Sequence, residues 1–112
     1  MTDWTNVCAL SDLVPDTGVC ALVEGKQVAV FRYGDGETIY AISNYDPFGK
    51  ANVLSRGIVG SIGERPVVAS PLYKQHFDLS NGECLEDDNV SVEYFPVRVE
   101  NGVVQITSAV TA

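Results

Sequence analysis

The chain has 112 residues, 46% hydrophobic and 20% charged, which is globular material for a single core and unlike a disordered or low-complexity sequence. Its formal charge of −8 argues against a nucleic-acid ligand, whose phosphates demand clustered Lys and Arg, and against docking on an anionic membrane surface. The longest purely apolar run, Val19–Val23, is far short of a bilayer span.

The opening residues MTDWTNVCALSDL carry neither a basic region nor an apolar stretch of signal-peptide length. Cys8, Cys20 and Cys84 are odd in number and form no C-x-x-C pair. Both features suit a reducing compartment, so the expected location is cytoplasmic. One domain is expected over residues 1–112.

A single helical turn is expected around Ser11–Val14, with Ser11 as its N-cap and Pro15 limiting it. Val19–Val23 and Gln27–Tyr33 then read as strands joined through Glu24-Gly25-Lys26. In the second, Val28 and Val30 point one way and Ala29, Phe31 and Tyr33 the other. Both faces are apolar, which predicts a strand packed between two layers. After the turn Gly34-Asp35-Gly36, Thr38–Ser43 completes a meander.

Asn44–Gly57 follows neither period and reads as a long ordered loop, of the kind that is often functional. Short strands are expected at Ile58–Gly60 and Pro66–Ala69. A second irregular loop, SPLYKQ, leads into His76–Leu79 and the Asn81-Gly82 turn. Val90–Tyr94, Val97–Val99 and Val103–Thr107 complete an all-β chain, with Asn101-Gly102 as a strong hairpin signal. Pro96 donates no ladder hydrogen bond and belongs at a bulge or an edge.

Few groups converge on a reaction. His76 is the sole histidine, and Cys84, eight residues on, is its nearest cysteine, too little for a tetrahedral metal site. Ser70, His76 and Asp46 or Asp78 make a triad only on paper, without a Gly-x-Ser-x-Gly turn. Gly57, Gly60 and Gly63 lack the helix and the Lys-Ser/Thr pair of a phosphate loop. The acidic run Glu83, Glu86, Asp87 and Asp88 lacks calcium-loop spacing. It reads as a solvated turn or, more sharply, as a docking patch for a basic surface on a partner.

One stretch is more specific. Residues 70–82, SPLYKQHFDLSNG, resemble the second ligand loop of Rieske domains, Cys-Pro-x-His followed by Phe-Asp-Leu-x-x-Gly. Asn44-Tyr45-Asp46-Pro47-Phe48 resembles the first loop, Asn-x-Cys-Pro-His, and Leu54-Ser55-x-Gly57 the Leu-Ser-x-Gly that follows it. The resemblance implies an all-β Rieske-like sandwich or small barrel with two degenerate cluster-binding loops. A Rieske centre is held by two Cys and two His. Those positions here are Asp46, Phe48, Ser70 and Tyr73, so the resemblance implies no cluster, no metal and no catalytic residue in this chain. The rings of Phe48 and Tyr73 are expected to fill the vacated space.

With GVCALVEGKQVAVFR, AISNYDPF, VLSRGIVG, SPLYKQHFDL and GECLEDD, the chain is similar to the small-subunit family of bacterial cytoplasmic NADH-dependent nitrite reductases. That likeness implies a large catalytic partner carrying flavin, sirohaem and an iron–sulfur cluster, reducing nitrite to ammonium. The chain itself would be a non-catalytic accessory subunit acting by docking. Two alternatives stand beside it: an electron carrier with an atypical centre at Asp46, Ser70 and Tyr73, and a free-standing protein-interaction domain.

Overall fold

In the computed structural model, which describes residues 4–34, 36–72 and 74–107, the secondary structure is almost entirely antiparallel β. The strands are β1 (Thr5–Ala9), β2 (Thr17–Val23), β3 (Lys26–Arg32), β4 (Ile39–Ser43), β5 (Tyr45–Asp46), β6 (Ala51–Asn52), β7 (Ile58–Ile62), β8 (Arg65–Ala69), β9 (His76–Asp78), β10 (Val97–Glu100) and β11 (Val103–Ile106). They form sheets ordered β1-β11-β10, β2-β3-β4, β5-β6 and β7-β8-β9. Short 3-10 turns lie at Leu10–Asp12 and Leu54–Arg56. No helix among the described residues is long and apolar enough to cross a membrane.

The two-faced strand is where the sequence places it. Val28, Ala29, Val30 and Phe31 of β3 have no exposed surface. Val28 and Val30 pack with Leu13, Val23, Ala41, Phe95, Val104 and Ile106 in a core between the first two sheets. Ala29 and Phe31 face the other way, into a second core with Ile42, Leu54, Val68, Phe77, Leu79 and Cys84. Alternation along one strand therefore serves two cores, and β3 joins a sandwich to a smaller unit built from β5–β9.

One strand goes unread in the sequence, and two expectations are corrected. Thr5–Ala9 is a strand, paired with β11 through a register shift between Asn6 and Cys8 that obscures its alternation. The 3-10 turn at Leu10–Asp12 precedes the expected position, and Ser11 does not cap it. Val90–Tyr94 is a connector rather than a strand. Its first half lies against β9's extension, with the Val92 amide on the Gly82 carbonyl at 2.8 Å, and its end bridges to Ile42 of β4. A segment that changes partner after two residues extends no single ladder. Pro96 sits just before β10, an edge strand, as its missing N–H requires.

Candidate functional site

The two loops singled out by sequence lie side by side at the end of the smaller unit. The first is not unstructured: β5 and β6 pair Tyr45 with Asn52 and Asp46 with Ala51 around the Pro47–Lys50 turn. Asn44 holds its base. The buried amide donates to the Asn52 carbonyl at 3.1 Å and accepts from the Ser55 amide at 2.7 Å, so one side chain ties both ends of the loop. Leu54, fully buried, anchors the return into the second core.

Asp46 is also fully buried. Its Oδ1 accepts from the amides of Phe48 at 2.9 Å and Gly49 at 3.2 Å, an Asx turn that shapes the loop tip. Its Oδ2 accepts from the hydroxyl of Ser70, which is 1% exposed. The Ser70 oxygen in turn accepts from the Leu72 amide at 3.2 Å. Asp46 and Ser70 thus clip the two loops together with a buried charge-assisted hydrogen bond. Gly49 lies against Leu72 so closely that a β-carbon there would collide with its side chain. The loops touch through backbone-scale contacts on both sides of the clip.

Phe48 leans on Phe77, with ring centroids 6.2 Å apart and planes tilted by 48°. The ring found against Phe48 is thus Phe77 of β9, which the sequence reading did not name. Tyr73 lies outside the described residues.

The loops' flanks explain two sequence glycines. Gly82 adopts φ +79°, with the Val92 carbonyl oxygen where a β-carbon would stand, and Gly57 lies against the backbone of Ala69. Asp78, of the Phe-Asp-Leu run, accepts from the Ser80 amide at 2.8 Å and from Arg65 Nε at 2.7 Å. Burial alone would raise its pKa. The Ser80 hydroxyl and the Arg65 guanidinium outweigh it and hold the carboxyl below its ordinary value.

The acidic run is mostly engaged within the chain. Glu83 pairs with Arg65 at 3.1 Å and accepts from Asn81 at 2.6 Å. Glu86 receives the His76 amide at 2.7 Å and its Nδ1 at 2.6 Å, and although desolvation pushes its pKa up, these His76 contacts bring it below the ordinary value. Asp87 accepts from the Asn89 amide at 3.0 Å. Asp88 is exposed. His76 and Cys84 each contact Glu86, His76 through Nδ1 at 2.6 Å and Cys84 through its thiol at 3.8 Å, and Cys84 bridges to Phe77 across the hairpin. Yet no group of three His, Cys, Asp or Glu among the described residues is arranged to hold a metal ion.

Known proteins decide the family. The Rieske-like [2Fe-2S] domain family matches residues 3–107. The nitrite reductase (NADH) small subunit of Salmonella typhimurium is 50% identical over 106 residues, covering 95% of this chain and 98% of that protein. The chain belongs to the Rieske-like family of NADH nitrite reductase small subunits. The solution structure of Escherichia coli NirD superposes on it with a TM-score of 0.91 at 45% identity, covering 98% of this chain and all of that one. A nitrite reductase [NAD(P)H] large subunit from Klebsiella oxytoca is 41% identical over 103 residues, which are 92% of this chain and 11% of that protein.

The Rieske family's name implies a [2Fe–2S] cluster, and the side chains at the corresponding positions do not fit one. Phe48 has no ligating atom. The carboxylate of Asp46 is occupied by two amides and a hydroxyl, and Ser70 is spent on that carboxylate. Neither thiolate nor imidazole stands at these three places. The sequence named Asp46 and Ser70 as lost ligands but not as partners of one another. The signal available was Asp46-Pro47-Phe48-Gly49, an Asx-turn pattern. Asn44 gave no comparable sign.

Proposed function

We propose that this chain is the non-catalytic small subunit of an NADH-dependent nitrite reductase, and that it acts by docking on the large catalytic subunit. The observation that carries the reading is the Asp46–Ser70 hydrogen bond, which joins the loops where a Rieske domain would use a metal centre. A buried, fully partnered pair of this kind holds shape without offering a redox group. The flavin, sirohaem and iron–sulfur cluster implied for the reaction then belong to the large subunit. This chain contributes binding, folding or orientation. The Klebsiella large subunit supports such pairing, because a stretch like this domain is part of its own chain. Cys8, Cys20 and Cys84 are free thiols, which agrees with a cytoplasmic location.

The electron-carrier alternative would have to break the Asp46–Ser70 bond to free two weak oxygen ligands. The direct test is co-purification with the large subunit and nitrite-dependent NADH oxidation with and without this chain. Association together with faster turnover supports the reading. No association would end it, and stoichiometric iron and sulfide in the purified chain would favour the carrier instead.

A further inference from the structure

Of the seven Lys and Arg side chains, four are engaged within the fold. Lys26 pairs with Glu93 and Arg65 with Asp78 and Glu83. Arg32 donates to the Leu13 and Gly36 carbonyls, and Arg98 stacks 4.4 Å from the Trp4 ring and bonds Gln105. Lys50, Arg56 and Lys74 are exposed and have no carboxylate partner among the described residues. All three lie on the two loops. Residues 44–57 and 70–76 hold a single carboxylate, Asp46, and it is buried. In a chain of net charge −8, the exposed charges of the two loops themselves are all cationic, and the carboxylate bonded at their margin is Glu86, held by His76.

The same surface is apolar between those charges. Leu72 is 47% exposed and Ile58 75% exposed. Arg56, Ile58, Pro71, Lys74 and His76 border one shallow cavity of about 410 Å³. Lys50 and Lys74 also adopt left-handed backbone, φ +55° and +63°, where glycine or asparagine would be less strained. Lysine thus stands at two tips that do not favour it sterically.

We propose that this cationic, apolar loop end is the surface that docks on the large subunit, and that it meets carboxylates there set around an apolar centre. This rests on the accessory-subunit reading and assigns its interface. Oppositely charged rims set encounter rate and register, and the exposed Leu72 and Ile58 supply the area that leaves water. Of the acidic run, Glu86 is held by His76 at the margin of the cavity, and Glu83, Asp87 and Asp88 are left outside the contact.

The test is a binding titration against purified large subunit at about 0.05 M and about 0.5 M salt. The variants are Lys50→Glu/Arg56→Glu/Lys74→Glu, Ile58→Ser, and the control Asp87→Lys/Asp88→Lys. All three are checked first for unchanged thermal melting. The loop triple should bind at least about tenfold more weakly at low salt, with the deficit shrinking at high salt. Ile58→Ser should weaken binding equally at both, and Lys50→Arg/Lys74→Arg should bind as the parent does. Parent-like binding by the loop triple, or a loss confined to the acidic-run control, would overturn the assignment while leaving the subunit reading intact. A parent chain that does not bind would overturn both.

Discussion

The sandwich and the loop-bearing unit are held together by different physics. Around β1–β4, β10 and β11 the interior is apolar and its backbone is satisfied by regular ladders. Around β5–β9 the second core is apolar too, but Asn44, Asp46, Ser70 and Asp78 are buried beside it. Each of these four accepts from backbone amides or side chains that no regular strand would serve. Irregular backbone can be buried only when such partners exist. The difference shows how a unit of irregular loops keeps its shape: polar side chains take over the backbone accounting that sheets perform elsewhere.

The largest effect should come where the two regions meet. Phe31→Ala empties the second core at a strand that also lines the first, and should destabilise the chain by about 3–5 kcal/mol. Denaturant unfolding followed by fluorescence of Trp4 and by far-ultraviolet dichroism should remain one coincident transition. Separate transitions would break the picture of two cores sharing one strand.

Next in size is the clip. Asp46→Ala strands two amides and the Ser70 hydroxyl, and should destabilise by about 3 kcal/mol. Asp46→Asn, which keeps an acceptor for the amides and offers Ser70 a donor in place of its acceptor, so that this bond reverses direction, should lose only about 1 kcal/mol. Amide hydrogen exchange should show the Ala variant's loss concentrated at residues 46–57 and 70–72. An equal rise in exchange through β10 and β11 would mean the sandwich depends on the clip as well.

A smaller effect separates the regions by pH. The carboxyls of Asp78 and Glu86 are both held below their ordinary values, and both lie in the smaller unit. A group depressed on folding adds stability above its unfolded pKa, about 4, and that contribution is lost as pH falls through the folded value. Urea midpoints should therefore decline below about pH 4, and Asp78→Asn should flatten that decline. An unchanged slope would place the acid-sensitive groups elsewhere. The smallest effect belongs to Asp88, exposed at the end of the acidic run. Asp88→Asn should change stability by less than about 0.5 kcal/mol, as measured by the same midpoints.

The all-β class, the meander, the two-faced role of Val28–Phe31 and the positions of both loops are legible along the chain, because alternation and turn residues are local signals. The same locality carries the resemblance to Rieske loops, since Asp46, Phe48, Ser70 and Tyr73 stand inside recognisable motifs. Only the tertiary structure decided that Asp46 and Ser70 are partners across 24 residues, that Asn44 ties Asn52 to Ser55, and that Val90–Tyr94 divides itself between two units. It also decided that Glu83 and Glu86 of the acidic run meet Arg65 and His76, while Lys50, Arg56 and Lys74 on the two loops have no carboxylate partner among the described residues. The physical reason is the same in each case. A hydrogen bond or an ion pair depends on which distant side chain arrives within about 3 Å, and no periodicity along the chain records that distance.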